Sequence, residues 1–326
     1  MNEENIFKNR IDLSPLKNQV EKIRLETRKV IVGQQKMIDL LLTALLADGH
    51  VLIEGVPGVA KTLTAKVFSK IIGSQFSRIQ FTPDLMPSDV LGTSVFNVKN
   101  SEFEFKAGPI FSNIILIDEV NRAPAKTQAA LFEVMEERQV TIDGKTYPMA
   151  MPYLVLATQN PIEQEGTYRL PEAQLDRFLF KIDVGYPSLE EEVHILEGFQ
   201  SRKNKAQLEL INTVLNGDDI VKLRETINEL YMEKKLTKYI AQIVAATREH
   251  HDLYLGGSPR ATIAIFKASK AFAAIQGRDF VVPEDIQFVA PPVLSHRVFL
   301  TPEKEMEGTS TVAVIKQIVD KIDVPR

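Results

Sequence analysis

Short apolar runs alternate with stretches of helical periodicity through the first part of the chain. The runs have the length of strands, and the one at residues 114–117 is uninterrupted, as in a parallel strand that is covered on both faces. Strands that alternate with helices are typical of a parallel α/β sheet. We therefore predict five strands, at residues 50–54, 76–81, 114–117, 154–157 and 178–184.

Apolar residues recur at helical spacing both before the first predicted strand and after the last one. Residues 11–47 predict two helices that are separated near Gly33, and further helices are predicted at about residues 62–72 and 125–137. Beyond Pro187 the pattern is almost wholly helical. We therefore predict an α/β domain over residues 1–187 and a smaller, all-α domain over residues 188–326.

Two insertions interrupt the alternation of strands and helices in the first domain. Residues 94–97 and 102–106 flank a polar segment and predict one hairpin. Residues 139–142 lead into Asp143-Gly144, which is a strong hairpin signal because both central residues of such a turn need positive φ. The predicted fold is therefore an α/β parallel-sheet core with hairpin insertions.

Composition narrows the class of protein further. The 326 residues include 44% hydrophobic and 25% charged residues, which suits a soluble protein of two domains. No apolar stretch approaches the roughly 18 residues of a membrane helix, and the first residues show no secretory signal. The absence of cysteine excludes disulfides and cysteine-ligated metals and fits the expected cytoplasmic location. The net charge of −4 argues against a general nucleic-acid-binding surface.

The first predicted strand is followed by a phosphate-loop (Walker A) pattern, Gly55-Val56-Pro57-Gly58-Val59-Ala60-Lys61-Thr62. In this context backbone N–H groups and a helix N-terminus face the phosphates, Lys61 contacts the β- and γ-phosphates, and the Thr62 hydroxyl binds Mg²⁺. The strict pattern has glycine in place of Ala60, so we expect the backbone there to avoid positive φ and Gly55 and Gly58 to supply the flexibility. A glycine-rich turn with a surface lysine is the simpler alternative.

Two carboxylates, Asp118 and Glu119, end the third predicted strand. Ligands of open α/β sheets bind at this edge, where Asp118 would hold Mg²⁺ and Glu119 would act as the general base toward water. A solvated acidic turn is the alternative. The acidic pair favours hydrolysis over transfer to a substrate hydroxyl, and no Asn-Lys-x-Asp motif for guanine is present.

Asn160, after the fourth strand, can hydrogen-bond the water or the γ-phosphate, although Asn-Pro is by itself an ordinary turn signal.

Taken in order, these motifs resemble those of the MoxR family of AAA+ ATPases. The resemblance extends over nearly the whole chain and includes Asp118-Glu119-Val120-Asn121-Arg122, Ala157-Thr158-Gln159-Asn160-Pro161, Leu175-Asp176-Arg177-Phe178 and Gly257-Ser258-Pro259-Arg260. It implies that Asn160 is sensor 1, that Arg177 is an arginine finger acting on the neighbouring subunit, that Arg260 is sensor 2 and that Val32 lies near the adenine. Arg169 stands where the family commonly has proline, which leaves its role open.

The chemistry of the two arginines is compatible with these roles. A guanidinium offers parallel donors to a phosphoryl group in transfer, which typically contributes about 10³–10⁵ in rate. From the residues alone, two alternatives stay open: a surface pair between Arg177 and Asp176, and a helix start at which Arg260 simply follows a Ser258 cap.

The resemblance implies an ATPase that uses ATP and Mg²⁺, with the nucleotide between the two domains. The expected nucleotide-binding residues are Val32, Gly55, Gly58, Val59, Ala60, Lys61, Thr62, Leu63 and Asp118, with Thr62 and Asp118 at the metal and Glu119, Asn160, Arg177 and Arg260 catalytic. It further implies a homo-oligomeric ring, typically a hexamer, that remodels client proteins, including partners with von Willebrand A-type domains. The hairpins would project toward the ring pore. The alternatives are a DNA-associated motor or loader, which the acidic charge disfavours, and a nucleotide-dependent scaffold, which the acidic pair disfavours.

Overall fold

The computed structural model describes residues 12–160, 168, 170–201 and 206–325. At its centre is a parallel sheet of five strands, which are β1 (His50–Gly55), β2 (Phe76–Gln80), β5 (Ile114–Asp118), β8 (Leu154–Gln159) and β9 (Phe178–Val184). Their order across the sheet is β2-β5-β8-β1-β9. Because all neighbouring pairs are parallel, the carboxyl ends of the strands share one edge. The five predicted strands are confirmed.

Alternate residues of the central strands enter two separate apolar clusters, one on each face of the sheet. In β5, Ile114 and Leu116 join the cluster on one face, whereas Ile115 and Ile117 join the cluster on the other. This two-residue period explains why the strand is apolar throughout, since each of its faces is covered by helices. The covering helices of this part of the chain are α1 (Ser14–Arg28), α2 (Gln35–Leu46), α3 (Lys61–Ile71), α4 (Pro87–Leu91), α5 (Ala125–Glu137) and the short α6 (Glu172–Leu175).

Both predicted hairpins are present. The first consists of β3 (Gly92–Asn97) and β4 (Glu102–Ala107), and the second of β6 (Gln139–Ile142) and β7 (Lys145–Pro148). The turn of the second hairpin has φ of 51° at Asp143 and 75° at Gly144, as expected for an Asp-Gly turn.

The region after β9 is helical, as predicted, but it also contains a short antiparallel pair of strands. Its helices are α7 (Leu189–Ser201), α8 (Gly217–Asn228), α9 (Lys234–Glu249), α10 (Pro259–Ile275), α11 (Pro283–Leu294), α12 (Pro302–Met306) and α13 (Thr311–Lys321). The strands β10 (Leu253–Leu255) and β11 (Phe299–Leu300) were not predicted, because segments this short show no alternation of polar and apolar residues. The expectation that strands stop after residue 187 was therefore wrong in this detail.

The helical region and the sheet share one hydrophobic core. Helix α10 packs along α2, and buried residues of both helices belong to the same apolar cluster as one face of β1 and β5. We keep residue 187 as the proposed boundary between the two regions, although no break in packing marks it. Within the described residues, no helix is both long and apolar enough to cross a membrane.

Two fully buried histidines hold backbone groups at the amino edge of the sheet. His50, the first residue of β1, accepts a hydrogen bond from the Val155 N–H at Nδ1 and therefore donates from Nε2 to the Met135 carbonyl. His296 donates from Nε2 to the Phe178 carbonyl at 2.9 Å. Burial lowers the pKa of both histidines well below the ordinary value, with nearby arginines adding to the effect. Both rings are therefore neutral in the folded protein.

These histidines predict a loss of stability in mild acid. Below the ordinary pKa of about 6.5, these histidines bind protons in the unfolded chain but remain neutral in the folded chain. Their contribution to the free energy of unfolding is therefore fully present above pH 6.5 and declines as the pH falls through that value. Each histidine contributes a slope of up to about 1.4 kcal/mol per pH unit. The free energy of unfolding, measured with urea between pH 7.5 and 5.5, should fall accordingly.

His296→Gln provides the control, because glutamine keeps an N–H donor but does not titrate. The variant should show a shallower decline of stability with pH than the unsubstituted chain. A pH-independent unfolding free energy in both chains would contradict the assignment of neutral, buried rings.

Candidate active site

The phosphate loop connects β1 to α3 at the carboxyl edge of the sheet. Gly58 has φ of 89°, and a Cβ built there meets no atom within 4 Å, so the backbone conformation and not crowding requires glycine. Lys61 begins α3, and its ammonium donates a hydrogen bond to the Gly55 carbonyl at 2.5 Å. The first N–H groups of a helix have no partner inside it, so the start of α3 and Lys61 together suit a phosphate group.

The expectation for Ala60 was wrong. This residue has φ of 58° and ψ of 20°, which lie in the left-handed region. Alanine was expected to avoid that region. The conformation costs alanine roughly 1–2 kcal/mol relative to glycine. The chain must turn sharply from Gly58 into the first residue of α3, and this requirement overrides the preference of the side chain.

Thr158 connects Asp118, the last residue of β5, with Glu119, which follows it. Its hydroxyl donates to Asp118 Oδ1 at 3.2 Å and accepts a hydrogen bond from the Glu119 N–H at 3.0 Å. The second oxygen of Asp118 accepts a hydrogen bond from Arg78 Nε at 2.6 Å. Asp118 is thus buried and held on both carboxylate oxygens by neighbouring strands.

Glu119 lies in a strained backbone conformation with its carboxylate oriented by polar neighbours. Its φ of 58° and ψ of 53° are left-handed, a conformation that costs a residue other than glycine about 1–3 kcal/mol. Gln80 Nε2 donates to the carboxylate at 2.8 Å, and Arg122 Nε lies 3.1 Å from the same oxygen. Strain of this kind clusters at functional sites, which is in keeping with the role expected for Glu119.

Strand register brings the acidic pair, Asn160 and the phosphate loop together. β8 lies between β5 and β1, with Ala157 opposite Ile117 and Gln159 opposite Glu54. The buried Asn160 follows β8 directly. Because neighbouring strands are about 4.8 Å apart and β8 lies between them, the ends of β5 and β1 are separated by roughly 10 Å.

A cleft of about 260 Å³ next to the phosphate loop lies between the sheet and the helical region. Val32 lines it, as do Tyr186, Glu191 and Pro292. Gln34, also in the lining, donates from Nε2 to the Val59 carbonyl at 3.1 Å and thereby links the cleft to the phosphate loop. This position suits a nucleotide base at Val32.

Arg177 lies at the opposite edge of the sheet. β9 pairs in parallel with β1, with His50 opposite Phe178 and Gly55 opposite Val184. Arg177 precedes β9, so the length of β1, six residues or roughly 17 Å, separates it from the phosphate loop. An arginine side chain is shorter than this distance. Arg177 therefore cannot contact a phosphate bound in the loop of its own chain.

Arg260 lies beside Arg177 and not beside Lys61. Both arginines line one cleft with the last turns of α5, where Arg177 Nη1 lies 3.2 Å and Arg260 Nη2 lies 3.5 Å from the carboxylate oxygens of Glu136. Arg177 Nη1 also donates to the Phe132 carbonyl at 2.9 Å. The structure thus divides the expected site into two groups, one at each edge of the sheet.

Arg297 fixes the turn that carries Arg177. Its buried guanidinium donates to Asp176 Oδ1 at 2.6 Å and to the carbonyls of Asp176 and Phe178 at 3.0 and 2.6 Å. Burial lowers the pKa of Arg297, an effect that the Asp176 carboxylate opposes. Ser258 does not cap α10 with its side chain; its hydroxyl lies 3.4 Å from Asp176 Oδ2. Arg177 does not form the alternative surface pair with Asp176. Among the described residues, Arg177 forms an ion pair with Glu136, and Asp176 forms one with Arg297.

The donor set fits Mg²⁺ held jointly by protein and nucleotide. The Thr62 hydroxyl and the Asp118 carboxylate are the oxygen ligands that Mg²⁺ prefers, and the ion commonly takes its other ligands from phosphate and water. In the described part of the chain, no three His, Asp or Glu side chains converge to hold a metal by themselves. Arg169 lies outside the described residues, as do residues 161–167.

Four polar residues of the candidate site were not predicted from the sequence: Gln34, Arg78, Gln80 and Glu136. Arg78 and Gln80 are polar residues at the end of β2, so knowledge of which strand neighbours β5 would have indicated them. Glu136 gives no local signal, because the helix it belongs to carries several glutamates.

Two family models match separate ranges of the chain. Residues 50–180 match the model described as "ATPase family associated with various cellular activities (AAA)", and residues 245–318 match an AAA lid domain. The parallel sheet, the phosphate loop, the acidic pair and the helical lid define the AAA+ class of ATPases.

Individual relatives identify the family within that class. The chain is 44% identical to Chaperone MoxR1 of Mycobacterium tuberculosis, over 94% of this chain and 82% of that protein. It is 30% identical to Protein MoxR of Methylorubrum extorquens, over 92% and 93%. A solved structure of a candidate ATPase from Cytophaga hutchinsonii superposes with a TM-score of 0.88 at 45% identity, over 95% of this chain and 96% of that one. The chain belongs to the MoxR family of AAA+ ATPases.

The backbone strain at Ala60 leads to a prediction. Ala60→Gly should increase the free energy of unfolding by about 0.5–1 kcal/mol, since glycine adopts the left-handed conformation without strain but loses more entropy on folding. Gly58→Ala is the matched control and should lower stability by roughly 1–2 kcal/mol. Urea unfolding measures both. A clear loss of stability in Ala60→Gly would refute the proposed strain.

Proposed function

We propose that this chain binds ATP with Mg²⁺ and hydrolyses it at a site shared by two subunits. The phosphate loop, Asp118, Glu119 and Asn160 belong to one subunit, and Arg177 with Arg260 to its neighbour. The observation that carries the proposal is the separation of these groups to opposite edges of one parallel sheet. A single subunit holds all the components and cannot bring them together.

Each side chain of the proposed site has a distinct task. Lys61 and the start of α3 bind the phosphates, and Gln34 and Val32 line the place of the base. Thr62 and Asp118 would hold Mg²⁺, which neutralises charge on the β- and γ-phosphate oxygens. Glu119 takes the proton of the attacking water, while Gln80 orients its carboxylate.

The neighbour's arginines complete this site. During transfer, negative charge spreads over the oxygens of the γ-phosphoryl group, and donors placed in advance stabilise that charge without reorganising. The guanidinium groups of Arg177 and Arg260 are suited to this task because each presents several N–H donors in a fixed plane. Arg297 keeps the Arg177 turn in place from within its own subunit.

We further propose that turnover in a homo-oligomeric ring remodels client proteins, as the name of Chaperone MoxR1 suggests for that relative. The two hairpins form one unit, because Phe105 stacks on Tyr147 with ring centroids 4.4 Å apart. Phe96 and Phe103, in edge-to-face contact on the first hairpin, are 49% and 72% exposed. Exposed aromatic side chains of this kind are typical of protein contacts, so clients, including those with von Willebrand A-type domains, would engage here.

The acidic pair gives a prediction about turnover. Glu119→Gln should bind ATP with nearly unchanged affinity and hydrolyse it at least about 10²-fold more slowly, because the amide cannot accept the proton of water. Lys61→Ala serves as the contrasting variant and should lose ATP binding. Phosphate release and equilibrium nucleotide binding measure the two effects. Normal turnover in Glu119→Gln would rule out its role as the base.

The division of the site gives a prediction about mixtures. Arg177→Ala and Lys61→Ala should each be nearly inactive alone, since loss of such an arginine costs about 10³–10⁵ in rate. In an equal mixture, half of the phosphate loops are intact and half of those face an intact arginine, so about a quarter of the activity should return. Phosphate release after subunit exchange is the measurement. Absence of recovery, in mixtures shown by mass to contain both variants, would exclude a shared site.

A further inference from the structure

Glu136 occupies a position between the two arginines that no other described carboxylate shares. It lies in the last turn of α5, and its oxygens are divided: Oε2 is 3.2 Å from Arg177 Nη1, and Oε1 is 3.5 Å from Arg260 Nη2. Arg177 comes from the chain just before β9, whereas Arg260 comes from the second residue of α10 in the lid. One carboxylate thus forms ion pairs with arginines from two separate parts of the fold.

Stability does not account for this arrangement. The side chains of Glu136, Arg177 and Arg260 are 41%, 29% and 57% exposed. Ion pairs at such exposure contribute about 0–1 kcal/mol to folding. Arg177 already has the Phe132 carbonyl as an anchor. The shared carboxylate affects the orientation of the two arginines more than it affects stability, because two guanidinium groups this close would repel each other without a shared anion.

We propose that Glu136 is a positioning residue that pairs Arg177 and Arg260 for the active site of the neighbouring subunit. The inference rests on the proposed function, in which both arginines act on the neighbour's γ-phosphate. Glu136 lies within ion-pair distance of Arg177 Nη1 and Arg260 Nη2, and an arginine has five N–H donors in all. The contact therefore orients both groups and leaves donors for phosphate oxygens.

Other glutamates of α5 provide a matched comparison. Glu133 and Glu137 line the same cleft, yet neither forms an ion pair with Arg177 or Arg260 among the described residues. If a general negative charge in the cleft were sufficient, all three glutamates would be equivalent. The geometry assigns the role to Glu136 alone.

The test is the substitution Glu136→Gln, which removes the charge and keeps the size of the side chain. We expect kcat to fall by about 10- to 100-fold, because small displacements of a catalytic group have effects of this order. KM for ATP should change less than about threefold, because the phosphate loop that binds ATP is unaltered and the arginines act on charge that develops during transfer. Glu133→Gln should behave like the unsubstituted chain in both parameters.

Mixing separates positioning in the neighbour's site from a local structural effect. Glu136→Gln subunits keep an intact phosphate loop, so mixing them with Lys61→Ala subunits should restore activity, whereas mixing them with Arg177→Ala subunits should not. In a background that carries both Arg177→Ala and Arg260→Ala, adding Glu136→Gln should change the rate by less than about twofold, since Glu136 acts through these two arginines.

The outcomes distinguish this inference from the function on which it rests. Full activity of Glu136→Gln, loss of its oligomeric mass, or failure of its mixture with Lys61→Ala would overturn the positioning role while Arg177→Ala remains inactive. Retained activity of Arg177→Ala would instead overturn the shared site itself. Behaviour of Glu133→Gln identical to that of Glu136→Gln would show that charge in the cleft, and not position, matters.

Discussion

The parallel register of β1 with its two neighbours is the constraint on which the rest of the structure depends. Pairing with β8 brings Asn160 and the acidic pair level with the phosphate loop, and pairing with β9 places Arg177 at the far edge. Both positions follow from the parallel pairing, because the carboxyl ends of parallel strands lie at one edge of the sheet and their amino ends lie at the other. The same hydrogen bonds that hold the sheet together thus place the phosphate loop, the acidic pair and Asn160 at one edge and Arg177 at the other.

Buried polar groups secure the amino edge, where the arginines are presented. His50 bonds to the backbone of β8 and of α5, and His296 with Arg297 bonds to the start of β9. Removing one partner from a buried network of this kind is costly, typically about 3–5 kcal/mol, because a buried donor or charge is left without a partner. Because Arg297 follows α11, these bonds also attach the lid to the strand that Arg177 precedes. A shift of the lid would therefore be transmitted to the arginine pair.

The sequence was sufficient for those parts of the fold and site that depend on residues close together in the chain. The five strands, both hairpins, the phosphate loop and the acidic pair each have a local pattern, and the structure places them as predicted. The positive φ at Ala60 was not predictable from residue preference, because the path of the loop decides it. Gln80 and Glu119 are 39 residues apart, and only the order of the strands brings them into contact. Glu136 is further removed still, since its two partners belong to different parts of the fold.

The opposite placement of loop and arginines gives each subunit two unlike ends. Contacts between unlike ends are head-to-tail, and such contacts form closed circles or open helical filaments according to the rotation between neighbours. An open assembly always has a first subunit whose loop meets no arginine and a last one whose arginines meet no loop. If the site is shared between subunits as proposed, closing the circle completes one additional site without adding a subunit. Under that proposal, closure brings a gain in catalysis as well as in contacts, and small assemblies benefit from it most.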